Sequence, residues 1–186
     1  MLIRSSDFCI ALKKICRSYL FIHIHINFGT FDILCDWIGY LLILSALNIL
    51  MREEASVKLL RPFAIALAAV SIINSVLSLA DLSLNNVALV QIVTAVLFVY
   101  LQFQLLTNIA DMAKKREYPN MKRILQLRTG SCILHLFSMS ISYFDFLQNQ
   151  VLMIALITAL LILVAWTWAV LISLRIYLEE NEDRQS

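Results

Sequence analysis

Six polar residues recur at steps of 3, 4, 3, 4 and 3: Arg128, Ser131, His135, Ser138, Ser142 and Asp145. At 100° per residue they fall within an arc of about 100°, so a helix carries them as one stripe from end to end. Ile124, Leu127, Ile133, Leu134, Phe137 and Ile141 take the other faces. An imidazole in the middle of such a stripe can exchange a proton or hold a ligand, because its ordinary pKa lies near 6.5. The stripe is therefore a candidate polar pathway, with Arg128 at one end and Asp145 at the other. The plainer alternative is interhelical packing, in which each hydroxyl bonds the carbonyl one turn back and small residues let helices close.

Two other stretches offer partner faces. Ser71, Asn74, Ser75 and Ser78 lead to Asp81, and Gln91, Thr94 and Gln102 share a face. Asn74 and Gln91 join His135 as candidates for one shared polar lining. Asp32, Asp36, Asp81 and Asp145 form a second group, candidate acids facing a cation at the outer ends of the segments. Asp32 and Asp36 stand four apart, which on a helix stacks two carboxylates on one turn. The alternative is that all four are solvated acids at helix ends, where the dipole favours them, with Trp37 and Tyr40 as interfacial anchors.

Other chemistry finds little support. No phosphate-binding loop, dinucleotide fingerprint, zinc-protease helix, nucleophile elbow or calcium loop occurs, so no residue is assigned as catalytic and no cofactor is expected. Cys9, Cys16 and His23 share a helix face, but steps of seven residues are about 10 Å, too long for joint coordination at roughly 2.0–2.3 Å. His23 and His25 point to opposite sides of a helix. Cys35 and Cys132 have no evident partner, and no metal is expected. The basic cluster Lys114-Lys115-Arg116 with Lys122-Arg123 has only Tyr118 as an aromatic neighbour, which argues for anionic lipid and against nucleic acid.

The elements that must position these residues follow from composition. The chain has 186 residues, 61% hydrophobic and 15% charged, with three Gly and two Pro. Soluble domains hold roughly 45–50% apolar and about 25% charged residues. Uncharged stretches cover 18–31, 37–51, 62–80, 82–110, 129–144 and 146–174. The third, fourth and sixth pass the threshold of about 18 residues for a spanning helix, and the fifth reaches it when extended to Ile124. The first two become sufficient when extended to Lys13 and begun at Ile33, as a hairpin around Phe28-Gly29-Thr30. A re-entrant pair is the alternative, and the crossing hairpin is favoured.

The expected fold is thus an all-α polytopic transmembrane bundle of six hydrophobic segments. Residues 1–186 make a single integral membrane domain, with 1–12 as a cytoplasmic or interfacial segment and 179–186 as a polar, frayed tail. With six segments, all 15 Lys and Arg fall on one side, and the opposite turns carry only the four aspartates. The positive-inside rule then puts both termini in the cytoplasm. No cleavage site for a signal peptide and no lipidation signature is visible. The expected location is the cell (inner or plasma) membrane.

The stretch Asn27–Tyr40 resembles an early segment of small, uncharacterised bacterial multi-pass proteins, in which the pattern reads Asp-Ile-Leu-Pro-Asp-Phe-Ile-Gly-Tyr. Asp32, Ile33, Leu34, Asp36, Ile38, Gly39 and Tyr40 match, while Cys35 replaces the proline and Trp37 the phenylalanine. The resemblance implies a multi-pass architecture and no particular activity. Size and helix count are also similar to the substrate-binding subunits of energy-coupling-factor vitamin transporters, on architecture alone and without a shared motif. Two functions follow as expectations. The first is a non-enzymatic accessory or regulatory component of a membrane complex, partnered by another membrane protein or by a second copy. The second is a small-solute or cation transporter, or a binding subunit, built around His135.

Overall fold

The computed structural model describes residues 4–23, 27–28, 31–32, 36–78, 88–143 and 150–183. Six helices account for nearly all of them: α1 (Ser5–His23), α2 (Asp36–Leu50), α3 (Arg61–Ser78), α4 (Ala88–Lys115), α5 (Met121–Tyr143) and α6 (Gln150–Asp183). A 3-10 helix, Ala55–Leu60, leads into α3. Between α1 and α2, β1 (Asn27–Phe28) pairs antiparallel with β2 (Phe31–Asp32), Asn27 opposite Asp32 and Phe28 opposite Phe31. The reversal falls where the sequence predicts the hairpin turn.

Among the described residues three stretches are long and apolar enough to cross a membrane: Ala55–Ser78, Ala88–Lys115 and Ile154–Asn181. The helix α2 is apolar but only 15 residues long. In α5 the polar stripe and the basic foot of Lys122, Arg123 and Arg128 lower the hydropathy, so this helix does not join the three. The helix α1 exposes Lys13 and Arg17, turns Lys14 onto Ser45 Oγ of α2 at 2.6 Å, and buries Phe8, Leu12, Ile15 and Tyr19. That burial makes residues 5–12 the first turns of a core helix. Likewise α6 continues through residues 179–183, expected as a frayed tail.

Each helix packs on its neighbour in the chain, and α6 returns to α1, closing a ring. Side chains fix the closure: Trp168 Nε1 donates to the Cys16 carbonyl at 2.7 Å, and Lys13 meets Glu179 at 3.8 Å. Gly39 permits the tight approach of α2 to α1. A Cβ there would lie 2.5 Å from Ile22 Cγ1 and 3.0 Å from the Ser18 carbonyl oxygen.

The two ends of the ring differ. At one end gather the start of α1, the connection 51–60, the connection 116–120 and the end of α6. Arg116 binds Glu53 through both nitrogens, at 2.8 and 2.7 Å, and its guanidinium lies 4.5 Å from the Phe8 ring centroid. Lys115 meets Glu54 at 2.6 Å, and Tyr118 packs edge-on against Tyr177. Leu47, Leu50, Leu60, Leu106, Ile109, Met112, Leu171 and Leu174 fill the core behind them. The turn after α4 is sealed by Tyr118 N–H donating to the Ala113 carbonyl at 3.1 Å, with Glu117 at φ 55°. We call this the basic end.

Toward the other end the helices turn apolar residues outward: Ile73 and Val76 on α3, Leu89 and Val93 on α4, Ile133 and Phe137 on α5, Val151 and Ile154 on α6. Ile133 is 63% exposed. Ile124 and Leu127, grouped by periodicity with Ile133 and Phe137, are instead fully buried. The foot of α5 is walled on more sides than its upper turns, so a face that is outward above is inward below. On the exposed faces, Thr129, Ser140 and Thr158 return their hydroxyls to the carbonyl one turn back, at 3.1, 2.9 and 2.7 Å. This pairing satisfies a polar group that a lipid environment could not.

Candidate functional site: a cavity walled by six helices

Above the packed basic end the ring encloses a cavity of about 480 Å³, within the size range of small-molecule sites. Every helix contributes to it. Ile22 and His23 come from the last turn of α1, Asp36 and Tyr40 from the first turns of α2, and Leu67, Val70, Ser71 and Asn74 from α3. The helix α4 supplies Val90, Gln91, Thr94, Ala95 and Phe98, α5 supplies His135 and Ser138, and α6 supplies Leu160. A side recess of about 250 Å³ opens between α4 and α5, sharing Gln91, Phe98, His135 and Ser138 and adding Val99 and Met139.

Ring stacking builds the cavity floor. His23 meets Phe98 at 5.7 Å and His135 at 5.6 Å between centroids, and Phe98 meets His135 at 5.2 Å. Tyr19 lies below His23 at 5.5 Å, and Tyr40 stands edge-on to Phe98 at 6.5 Å. Aromatic pairs prefer these tilted and edge-on geometries. Beneath them Ile43, Leu101, Gln102 and Leu105 leave a void of only about 10 Å³, so the floor is closed toward the basic end.

One hydrogen bond decides the chemistry of His135. Its Nδ1 lies 2.8 Å from the Ser131 carbonyl oxygen. A carbonyl only accepts, so Nδ1 carries the proton, and in the neutral ring Nε2 keeps its lone pair. The stripe of α5 thereby fixes a tautomer as well as a position.

The stripe does not act as a single unit. Arg128 stands seven residues, about 10 Å, below His135, donates to Thr107 Oγ1 at 3.1 Å and covers the Phe103 ring at 4.4 Å. It packs on α4 and does not line the cavity. Ser131 is fully buried and serves through its carbonyl. Ser138 lines the cavity, and the side chain of Ser142 lies outside the described residues. Asn74 and Gln91 line the same cavity as His135, while Gln102 is buried in the floor beside Tyr19. Ser75 and Ser78 bond the carbonyls of Ser71 and Ser75 at 2.9 and 2.8 Å, as the packing alternative expects.

The four aspartates also separate. Asp36 lines the cavity, one turn before Tyr40. Asp32 lies in the strand β2 and Asp36 opens α2, so the two do not share a helix, and the side chain of Asp32 lies outside the described residues. Asp81 and Asp145 lie outside the described residues. Tyr40, expected as an interfacial anchor, is buried in the wall.

His23, Tyr40 and Phe98 are the wall residues that periodicity does not single out. Spacing sets His23 beside His25 and the cysteines, whereas across the fold it meets Phe98 on α4 and His135 on α5. Phe98 sits in an unmarked apolar run, and nothing in its local sequence distinguishes it. Among the described residues no group of three or more His, Cys, Asp or Glu could hold a metal ion. Cys9 and Cys16 are buried free thiols, and Cys132 is half-buried.

Outside the cavity, the ion pairs of the basic end have their own electrostatics. Hydrogen bonding from Lys115 holds the Glu54 carboxyl below its ordinary range, with Ser56 as a weaker contributor. Ser56 also donates to Asn108 Oδ1 at 2.9 Å, which ties the connection 51–60 to α4. Comparison with protein-family models, with curated proteins and with solved structures returns no match, so the cavity's own chemistry must carry the functional argument.

Proposed function

We propose that this chain is a multi-pass protein of the cell membrane that admits a small polar solute to the six-helix cavity, as a transporter or as the solute-binding subunit of one. The observation that carries this reading is the convergence of His135, Asn74, Gln91 and Ser138, from three helices, on one cavity of about 480 Å³. Isolated polar residues used only as packing contacts have no reason to share an open volume. Concave sites with apolar walls and a few convergent polar groups are the usual form of small-molecule sites.

The proposed topology has six crossings with both termini inside. It rests on the 15 basic residues assigned by sequence to the basic side and on the outward apolar faces above it. In this topology α1 and α2, extended by the β1–β2 pairing, form a crossing hairpin. Its turn faces outside, and Thr30→Cys in otherwise intact cells would react with an impermeant maleimide. Labelling only after permeabilisation would make the pair re-entrant.

A membrane-protein partner of an accessory component would pack on the small-residue face Ala64, Ala68, Ser71 and Ser75. Ala64 and Ala68 are buried in the chain's own core and Ser71 lines the cavity, so most of that face is used internally. The deciding test is reconstitution into proteoliposomes with uptake and binding assays over a panel of small solutes. His135→Ala and Ala95→Trp, the second filling the cavity from α4, should abolish any uptake or binding found with the native chain. Unchanged uptake in both, with both variants monodisperse, refutes the cavity as the site.

A further inference from the structure

Resting on the reading of the cavity as a solute site, the geometry points to its substrate class: we infer that the cavity selects a small organic cation, a protonated amine carrying a ring or short alkyl body. Three independent features of the wall converge on this class. The first is charge. Among the described lining residues Asp36 is the one carboxylate, and none is Lys or Arg. The nearest bases on the wall helices, Arg17 on α1 and Arg128 on α5, stand six and seven residues below the two histidines, about 9 and 10 Å. Asp36 also sits in the first turn of α2, where the helix dipole favours an anion.

The second feature is hydrogen-bond polarity. The His135 tautomer set by the Ser131 carbonyl leaves Nε2 as an acceptor. A carboxylate and an imidazole acceptor on opposite sides of the ring of helices suit a ligand rich in N–H donors, and the amide oxygens of Asn74 and Gln91 can accept as well. A carboxylate ligand would meet the like charge of Asp36. The third feature is aromatic. Phe98 and Tyr40 both line the cavity, and ring faces attract ammonium groups while offering an apolar surface to the rest of the molecule.

The test uses three probes of nearly one shape and different charge: phenethylammonium, propylbenzene and 3-phenylpropionate. Each is titrated calorimetrically into the full chain in lipid nanodiscs at neutral pH, against the native protein and Asp36→Asn. The expected result is a preference of about tenfold or more for the ammonium over the other two, the scale of one charge-assisted hydrogen bond, reduced to near parity in Asp36→Asn. His135→Gln, which offers its amide oxygen as an acceptor, should retain part of the preference. If propylbenzene or the carboxylate binds as tightly as the ammonium, the cation class is wrong while the cavity remains a solute site. If Asp36→Asn keeps the full preference, Asp36 is not its source and the inference fails. If none of the three binds, both the class and the cavity reading fall.

Discussion

Replacing Glu53 by Ala gives the sharpest energetic test of the basic end. The Glu53 side chain is 1% exposed and that of Arg116 is 8% exposed, and the two form a bidentate pair at 2.8 and 2.7 Å. Arg116 also donates to the Met112 carbonyl at 3.1 Å and lies over Phe8. Removing the carboxylate takes both bidentate hydrogen bonds from the buried guanidinium, and breaking a buried pair from one side costs roughly 3–5 kcal/mol. The neighbouring pair provides an internal control. Lys115 and Glu54 are 44% and 27% exposed, and an exposed pair of this kind contributes roughly 0–1 kcal/mol. Both pairs join the same two connections, so their difference isolates burial from connectivity. A third variant, Glu53→Met with Arg116→Met, removes both charges and should recover most of the loss, because apolar replacement of a buried pair is often neutral or stabilising. The assay is unfolding in mixed micelles with increasing denaturing detergent, followed by helical circular dichroism. Equal destabilisation by Glu53→Ala and Glu54→Ala, or a double variant as unstable as Glu53→Ala, would refute the argument from burial.

Other outcomes are equally specific. Gly39→Ala should destabilise by about 1–3 kcal/mol, since its Cβ would press on Ile22 and on the rigid Ser18 carbonyl, whereas Gly130→Ala meets nothing within 4 Å and should stabilise by roughly 0.5–1 kcal/mol through helix propensity. Thermal melts of the two variants check the opposite signs. The depressed Glu54 carboxyl contributes stability that is present above its unfolded value, near 4.3, and is lost as pH falls through the lower folded value. The melting difference between the native chain and Glu54→Gln should therefore be present at neutral pH and shrink as the medium is acidified through the lowered folded value, within a limit of roughly 1 kcal/mol for an exposed pair.

Much of the architecture is legible in the chain because a bilayer imposes a one-dimensional rule. Charge-free stretches must be helices of a minimum length, and their ends must carry the charges. The positions of α3, α4 and α6 follow from that rule alone. The rule weakens where helices are amphipathic. In α1, Phe8 and Leu12 are core residues close in sequence to Lys13 and Lys14, so the charge-free rule alone does not show that residues 5–12 carry a buried face. Helical periodicity does not run from Asp36 back to Asp32, because Asp32 lies in the strand β2.

For the site the division is sharper. The spacing of His135, Ser138, Asn74 and Gln91 fixes which helix faces are polar, because period and sequence alone determine a face. Only the closed ring decides that these faces enclose one volume, since that depends on how six helices tilt and which pairs touch. His23 shows the limit: its meeting with Phe98 and His135 joins residues far apart in sequence, and no local pattern encodes it. Arg128 shows the converse. Sequence places it on the stripe of His135, yet packing turns it to Thr107 and Phe103, because the foot of α5 is enclosed by α4 before the cavity begins. The chain by itself determined an apolar helical protein with its basic residues gathered by position. The tertiary structure decided which polar side chains face one another, because that depends on packing between helices rather than on spacing within one.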